Sequence, residues 1–170
     1  MKRPAGRRKP VVPVYPDPEL FLDRPAASNR GELFERFGEA LERRGIVEHR
    51  PAFVRLVAER EALGTTALGQ GVAFPHVRAH VAGATALAFA RLAEPVEFDA
   101  PDGQPVDVIL MLVAPYDLRG AFYQPLLAVW ADLLYGNEGR SMLRAVACFA
   151  DFERLLHDTI WPHILEVLSQ

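Results

Sequence analysis

The chain has 170 residues, of which 50% are apolar and 24% are charged, and this size and composition are typical of one soluble globular domain. Its single cysteine, Cys148, excludes an intrachain disulfide and agrees with a reducing compartment. No run approaches the roughly 18 apolar residues that a membrane helix needs, and no apolar stretch follows the basic start as in a signal peptide. We therefore expect a cytoplasmic protein without membrane insertion.

The formal net charge of −3 is distributed unevenly. Residues 1–9 contain five basic residues and no acidic one, which gives +5, and the rest of the chain has 22 acidic against 14 basic residues, which gives −8. A proline-rich stretch, PVVPVYPDPE, follows, and proline removes the hydrogen bonds that helices and sheets need. We predict a disordered basic leader over residues 1–18 and one domain over residues 19–170, and we expect no nucleic-acid binding, for which a basic tail alone is weak support.

Two amphipathic helices are predicted first along the chain. The first spans residues 30–44, where five apolar residues recur at helical spacing and Gly45 provides the stop. The second spans residues 51–63, with Pro51 in the first turn, where its missing N–H is not needed. Apolar residues at helical spacing form one face of the second helix as well.

The hydrophobic period then changes to that of strands. Apolar runs predict strands at residues 72–74, 85–92, 96–98 and 106–114. The last run, VDVILMLVA, is typical of a strand that is covered on both faces. Further helices are predicted at residues 121–135, 140–148 and 151–168, the last with an interruption at Pro162. This order of elements favours an α/β fold in which helices cover both faces of one sheet.

His76 is the histidine that the pattern singles out among five. It follows a predicted strand directly after Pro75, at the kind of place where α/β proteins bind ligands. A neutral imidazole nitrogen can attack phosphorus as a nucleophile. Zinc binding by His76 and His80 is a competing interpretation, but no third Cys or His lies nearby and little helical signal would place the two on one face. We therefore expect no metal site.

Neighbouring residues offer groups that suit a phosphoryl group. Arg60 lies near the end of the second predicted helix, and Thr66 lies in the turn that follows. Gly69 and Gly71 allow the backbone to approach an anion, although they could equally serve a tight turn. A guanidinium and free backbone N–H groups would hold the phosphoryl oxygens. The residues alone leave open a small-anion-binding domain without transfer chemistry.

Two segments of the chain resemble one known family. The segment REALGTTALGQGVAFPH, residues 60–76, resembles the active-site signature of enzyme IIA domains of the bacterial phosphoenolpyruvate-dependent sugar phosphotransferase system, of the mannitol/fructose class, which includes the nitrogen-regulatory IIA proteins. The segment EPVEFDAPDGQPVDVILMLVAP, residues 94–115, resembles the strand, turn and second strand of the same family. The resemblance extends over about residues 20–168 and leaves out only the leader.

This resemblance implies a mixed β-sheet flanked by helices on both faces, and no cofactor. It implies that His76 accepts a phosphoryl group from the histidine-containing phosphocarrier protein and that Arg60 and Thr66 help to hold it. The group would then pass to a IIB domain, or in a regulatory member it would switch binding to a target protein. The resemblance leaves open whether the chain forms a homodimer.

Two positions depart from the family pattern. Val77 follows Pro-His, where the family usually has a small residue. Tyr123 stands where the family has a second histidine, and a tyrosine hydroxyl can donate a hydrogen bond but cannot become an imidazolium at neutral pH. His80 is a candidate to take that role from another direction. The alternative function is therefore a regulatory module with the IIA fold that binds partners and transfers little or no phosphoryl.

Overall fold

The computed structural model describes residues 14–117 and 123–169. In these ranges a mixed sheet has the strands β1 (Phe21–Asp23), β2 (Ala67–Gly69), β3 (Val72–Ala73), β4 (His76–Arg78), β5 (Ala86–Val96) and β6 (Val106–Ala114). The helices are α1 (Arg30–Arg43), α2 (Arg50–Ala62), α3 (Tyr123–Tyr135), α4 (Asn137–Arg144), α5 (Phe149–Leu155) and α6 (Trp161–Leu168). The strand order is β1-β5-β6-β3-β2, and β4 also pairs with β6. β5 runs antiparallel to β6, whereas β3 and β4 run parallel to it.

Successive side chains of the central strand β6 point to opposite faces of the sheet, and both faces are apolar. Ile109 and Met111 join a core that α1 and α2 cover. Leu110 and Leu112 join a second core that α3, α5 and α6 cover. Because both faces are buried, the strand needs a continuous apolar sequence. The predicted α/β fold, one mixed sheet flanked by helices on both faces, is confirmed.

The sequence located the long elements better than the short ones. β6 has the predicted bounds, α1 ends one residue before its predicted end, and α2 is shifted by one residue towards the N-terminus. Three strands of three residues, β1, β2 and β4, were not predicted, because a segment this short becomes a strand through the neighbour that it pairs with. The strand predicted at residues 96–98 is wrong, since β5 ends at Val96. For the helix predicted at residues 121–135, residues 121 and 122 lie outside the described ranges.

The C-terminal helices are arranged differently from the prediction. The helix predicted at residues 140–148 is α4, which lies at Asn137–Arg144 because Gly136 already serves as its N-cap. The helix predicted at residues 151–168 is divided, as predicted, close to Pro162: α5 ends at Leu155, and Pro162 lies in the first turn of α6. A π-helical turn at Leu156–Ile160 directly precedes it, and such a turn adjusts the backbone hydrogen bonds next to a residue that cannot donate one.

The folded part of the chain begins before the predicted leader boundary at residue 18. Val14 is buried in the core that α3, α5 and α6 cover. Asp17 caps a short 3₁₀ helix at Pro18–Leu20 and binds Nε of Arg44 at 2.7 Å. Residues 14–18 therefore belong to the domain, and the rest of the predicted leader lies outside the described residues. Among the helices of the described ranges, none combines the length and apolarity that a bilayer-spanning segment needs.

Candidate functional site

β3 and β4 are two pieces of one strand that runs parallel to β6. Val72 pairs with Val108 before the break, and His76 pairs with Leu112 after it, so the register is unchanged. The break falls at Phe74-Pro75, because proline has no N–H to donate to the ladder. His76 is therefore the first residue of the strand after it resumes.

At the break, the carbonyl oxygen of Phe74 contacts the imidazole ring. The N–H of Phe74 donates to the carbonyl of Thr66, and the carbonyl of Pro75 accepts the N–H of Leu112, each at 3.0 Å. The carbonyl oxygen of Phe74 lies 2.9 Å from Nδ1 of His76. A carbonyl oxygen only accepts, so Nδ1 carries the proton and Nε2 of the neutral ring keeps its lone pair. The Pro-His sequence thus fixes which ring nitrogen can act as a nucleophile.

Two clefts meet at His76 and Arg60, which line both of them. Arg60 comes from the last turn of α2. One cleft contains Thr65-Thr66 and is called the threonine cleft here. The other contains Tyr116 and Tyr123 and is called the tyrosine cleft. The fold therefore brings together four of the five predicted site residues.

The surroundings of His76 favour its neutral form. Burial lowers the pKa of His76, because the charged ring would lose hydration, and the guanidinium of Arg60 lowers it further. The hydrogen bond to Phe74 and the carboxylate of Glu61 raise the pKa, but the net change is downward. A lowered pKa leaves the lone pair of Nε2 free at neutral pH, as a nucleophile requires.

We expect an NMR titration of the His76 ring to have its midpoint below the ordinary value for histidine. Arg60→Gln raises this midpoint without fully restoring the ordinary value, because burial is the larger cause. In the wild-type protein the pKa of His76 is lower in the folded state than in the unfolded state. The unfolded chain therefore binds the proton at a higher pH, and His76 lowers the free energy of unfolding as the pH falls. Arg55→Gln, on the exposed side of the same helix, is the matched control. A midpoint at or above the ordinary value contradicts the expectation.

A buried carboxylate, Glu61, lies behind the threonine cleft and is only 7% exposed. Its Oε1 accepts the backbone N–H of Thr66 at 2.8 Å, and its Oε2 accepts the Thr66 hydroxyl at 2.7 Å. Sequence reasoning gave Glu61 no role. Its position in the last turn of α2 could have indicated a role. The helix dipole disfavours negative charge there, so an acidic residue at this position needs a specific partner.

Arg78 lies between the two rings of the tyrosine cleft. Its guanidinium carbon is 5.6 Å from the ring centroid of Tyr123 and 5.8 Å from that of Tyr116. It also donates to the carbonyls of Pro115 and Tyr116. Burial raises the pKa of Tyr123, so its hydroxyl stays protonated at neutral pH. Arg78 was missed in the sequence, although its spacing of two from His76 places both on one face of β4.

The structure does not bring His80 to this site. His80 is exposed in the turn after β4, and it is not among the residues that line either cleft. Val77, the residue that departs from the family pattern, is buried in the core under α1 and α2. Within the described ranges, no three His, Cys, Asp or Glu residues come together in a way that could hold a metal ion.

The Gly-x-Gly segment forms a tight turn between β2 and β3, which is the alternative that the sequence left open. Gly69 and Gly71 have φ values of 93° and 74°, in the left-handed region that favours glycine. A Cβ on Gly69 would lie 3.1 Å from the carboxylate of Asp102, and one on Gly71 would lie 2.5 Å from the guanidinium of Arg144. Neither glycine is among the residues that line the two clefts.

The model of one protein family matches most of this chain. It is described as "Phosphoenolpyruvate-dependent sugar phosphotransferase system, EIIA 2", and it covers residues 17–158. The chain belongs to this EIIA 2 family. The match includes all the residues that line the two clefts.

Relatives of the EIIA 2 chain include nitrogen regulatory proteins. The one from Bradyrhizobium diazoefficiens is 38% identical over 118 residues, which are 69% of this chain and 75% of the relative. The crystal structure of nitrogen regulatory protein IIA-Ntr from Neisseria meningitidis has a TM-score of 0.68 and 33% identity, and the match covers 85% of this chain and 96% of that one. This family membership makes the protein a phosphotransferase-system IIA-like protein, with a phosphoryl-carrier or regulatory role.

A second solved structure shows the same fold at lower identity. It is the complex of enzyme IIA mannitol with phosphorylated enzyme IIB mannitol from Escherichia coli. The TM-score is 0.67 at 20% identity, over 85% of this chain and 99% of that chain. This likeness concerns the fold alone.

Large apolar side chains of the EIIA 2 chain project into solvent around the two clefts. Leu63 and Tyr116 at the tyrosine cleft are 86% and 61% exposed, and Tyr135 at the threonine cleft is 79% exposed. The positive charges of Arg60 and Arg78 lie among them. Clustered exposed apolar groups are typical of surfaces that bind other proteins.

Proposed function

We propose that His76 is the phosphoryl-accepting residue of this EIIA 2 chain. It takes the group from the histidine-containing phosphocarrier protein and passes it to a IIB domain or carries it as a regulatory mark. The observation that supports this most is the hydrogen bond from Nδ1 to the carbonyl of Phe74, because it leaves Nε2 with a lone pair in a residue that both clefts share.

The transfer proceeds by attack of Nε2 on phosphorus. The N–P bond of the donor histidine breaks, and the donor ring keeps the electron pair. The ring of His76 then carries a positive charge, with its Nδ1 proton still donated to the Phe74 carbonyl. That carbonyl is too weak a base to remove the proton, so the ring stays a good leaving group for the onward step. The same hydrogen bond therefore supports both acceptance and release.

The phosphoryl oxygens need positive charge and donors more than covalent help. Arg60 supplies the charge, and its contact from Nη1 to the carbonyl of Gly64, at 3.2 Å, holds it at the end of α2. The hydroxyl of Tyr123 supplies a neutral donor from the tyrosine cleft. Thr66 supplies a hydroxyl from the threonine cleft. These roles are part of the proposal.

The exposed rim favours protein partners over a small-molecule donor. Leu63, Tyr116 and Tyr135 give a partner apolar surface on both sides of His76. The nitrogen regulatory relatives, at 38% and 33% identity, favour a regulatory target as the downstream partner. The mannitol IIA protein that was solved with its phosphorylated IIB protein has the same fold, which supports a IIB domain as the other candidate.

A second candidate function is a partner-binding module with little phosphoryl transfer. Two observations favour it: Tyr123 cannot supply an imidazolium, and the hydroxyl of Thr66 already donates to Glu61. The same exposed rim would then bind a partner without a transfer step.

The full chain, incubated with phosphoenolpyruvate, enzyme I and the phosphocarrier protein, decides between the two functions. We expect intact mass spectrometry to show a gain of one phosphoryl group, which acid removes and which depends on the phosphocarrier protein. A IIA protein of known activity runs in parallel as the positive control. If that control is labelled and this chain is not, the transfer proposal fails and the binding module stands.

A further inference from the structure

The Thr66 hydroxyl has a buried acceptor, Glu61, and Thr66 lines the cleft of His76. The hydroxyl donates to the carboxylate of Glu61 at 2.7 Å. A hydroxyl has one proton, so it can donate to only one of two anions at a time. A phosphoryl group on His76 would be the second anion.

We propose that Glu61 competes with the phosphoryl group for the hydroxyl of Thr66. The hydroxyl donates to Glu61 in the unphosphorylated protein and turns to a phosphoryl oxygen when His76 carries the group. This inference rests on the proposed function, because it requires a phosphoryl group on His76.

The proposed exchange leaves the backbone of Thr66 anchored to Glu61. The N–H of Thr66 donates to Oε1 of Glu61 at 2.8 Å, and this bond stays in place whichever way the hydroxyl points. Rotation about the bond from Cβ to the hydroxyl oxygen moves only the proton. Thr66 and Glu61 are 5% and 7% exposed, so water has little access to replace either partner.

Arg30 of α1 keeps the carboxylate of Glu61 compensated while the hydroxyl is turned away. Its Nη1 lies 3.9 Å from Oε1 of Glu61, which is an ion pair but longer than a charge-assisted hydrogen bond. The guanidinium is held there by Asp99 at 2.8 Å and by the ring of Phe98 at 5.6 Å. A buried carboxylate without such a partner would lose its hydration without compensation.

As a consequence, the competition limits the stability of the phosphorylated state relative to the unphosphorylated one. Each time the hydroxyl turns to the phosphoryl group, Glu61 loses a hydrogen bond, and this loss opposes the gain at the phosphoryl oxygen. A carrier must release the group as well as accept it. Glu61 therefore acts as a positioning residue that balances the two directions of transfer through Thr66.

Glu61→Gln tests the competition. The amide oxygen of the glutamine can accept the N–H of Thr66, and its NH₂ group then faces the hydroxyl oxygen, so the hydroxyl proton is free for the phosphoryl group. We expect the phosphorylation equilibrium with the phosphocarrier protein to shift towards the phosphorylated chain by roughly tenfold, the effect of one charge-assisted hydrogen bond. Thr66→Val removes the bond that is gained and the bond that is lost, so we expect it to shift the equilibrium by less than Glu61→Gln does. Thr159→Val, on the π-helical turn before α6, is the matched control for losing a threonine hydroxyl.

The double variant separates the hydroxyl from simple charge removal. If Glu61 acts through Thr66, the effect of Glu61→Gln disappears in the Thr66→Val background. If the lost negative charge alone is responsible, the full effect persists there, and the inference is overturned. The melting temperature of each variant shows whether it folds.

A second measurement does not depend on the folding of the Glu61 variant. The ³¹P resonance of the phosphohistidine is compared in the wild-type chain, Thr66→Ser and Thr66→Val. We expect serine to keep the wild-type resonance and valine to shift it, because only valine lacks the hydroxyl; three identical resonances overturn the inference. A chain that gains no phosphoryl group rejects the proposed function and this inference together, whereas normal gain with an additive double variant rejects the inference alone.

Discussion

The variant His76→Gln is expected to take up no phosphoryl group from the phosphocarrier protein. Glutamine has a similar size and keeps an amide that can donate to the carbonyl of Phe74, but it has no nitrogen with a free lone pair. The fold should survive the change, since the side chain is only half-buried at the edge of the two clefts. Intact mass spectrometry after incubation with the complete phosphoenolpyruvate-dependent system measures the uptake.

Matched histidine variants complete that experiment. His157 is exposed on the π-helical turn, so His157→Gln should be labelled as fully as the wild-type chain. The variant His80→Gln tests the supporting role that the sequence predicted for His80: a clear loss of uptake supports that role, and full uptake rejects it. Acid-labile phosphate on His76→Gln would mean that the acceptor lies elsewhere in the chain.

The second large effect is expected from Arg60. The variant Arg60→Gln should slow phosphoryl transfer by about 10²–10³-fold, because it removes a fixed positive charge from the place where negative charge develops. Arg60→Lys keeps the charge but loses the planar fork that binds two oxygens at once, so we expect an intermediate rate. Rapid-quench measurements with the phosphorylated carrier as donor give the rate directly.

The control for this prediction lies one turn and a half earlier on the same helix. Arg55 pairs with Glu59 at the surface, and Arg55→Gln should transfer at the wild-type rate. Arg60 also helps to lower the pKa of His76, so its loss changes the protonation of the ring as well. Comparing the rates at several pH values separates this effect from the loss of charge stabilisation. A rate for Arg60→Gln within twofold of the wild-type rate would contradict the role given to Arg60.

The sequence predicted those parts of the fold and site that depend on local chain chemistry. The apolar run of β6 required burial on both faces, and in the structure a layer of helices covers each face. The order Phe74-Pro75-His76 predicted the position of His76, because proline interrupts the hydrogen bonds between strands and the next side chain lies at the break. Arg60 and Thr66 were predicted as site residues because they are close to His76 in the sequence pattern, and both line the threonine cleft with it.

What the sequence did not predict depends on contacts between distant segments. β1 becomes a strand only because Phe21 pairs with Phe89 of β5. The partner of Glu61 on α1, Arg30, is 31 positions away, and no local pattern joins the two. The Gly-x-Gly turn gave an ambiguous signal, because a tight turn and an anion-binding loop require the same freedom of φ.

The unchanged register on the two sides of the Phe74-Pro75 break has a consequence for how such a chain can evolve. An insertion or deletion of one residue between Val72 and His76 would rotate the imidazole to the opposite side of the sheet, into the layer beneath α1 and α2. Length variation in homologous chains should therefore accumulate in the surface connections, while the spacing of these few residues stays constant.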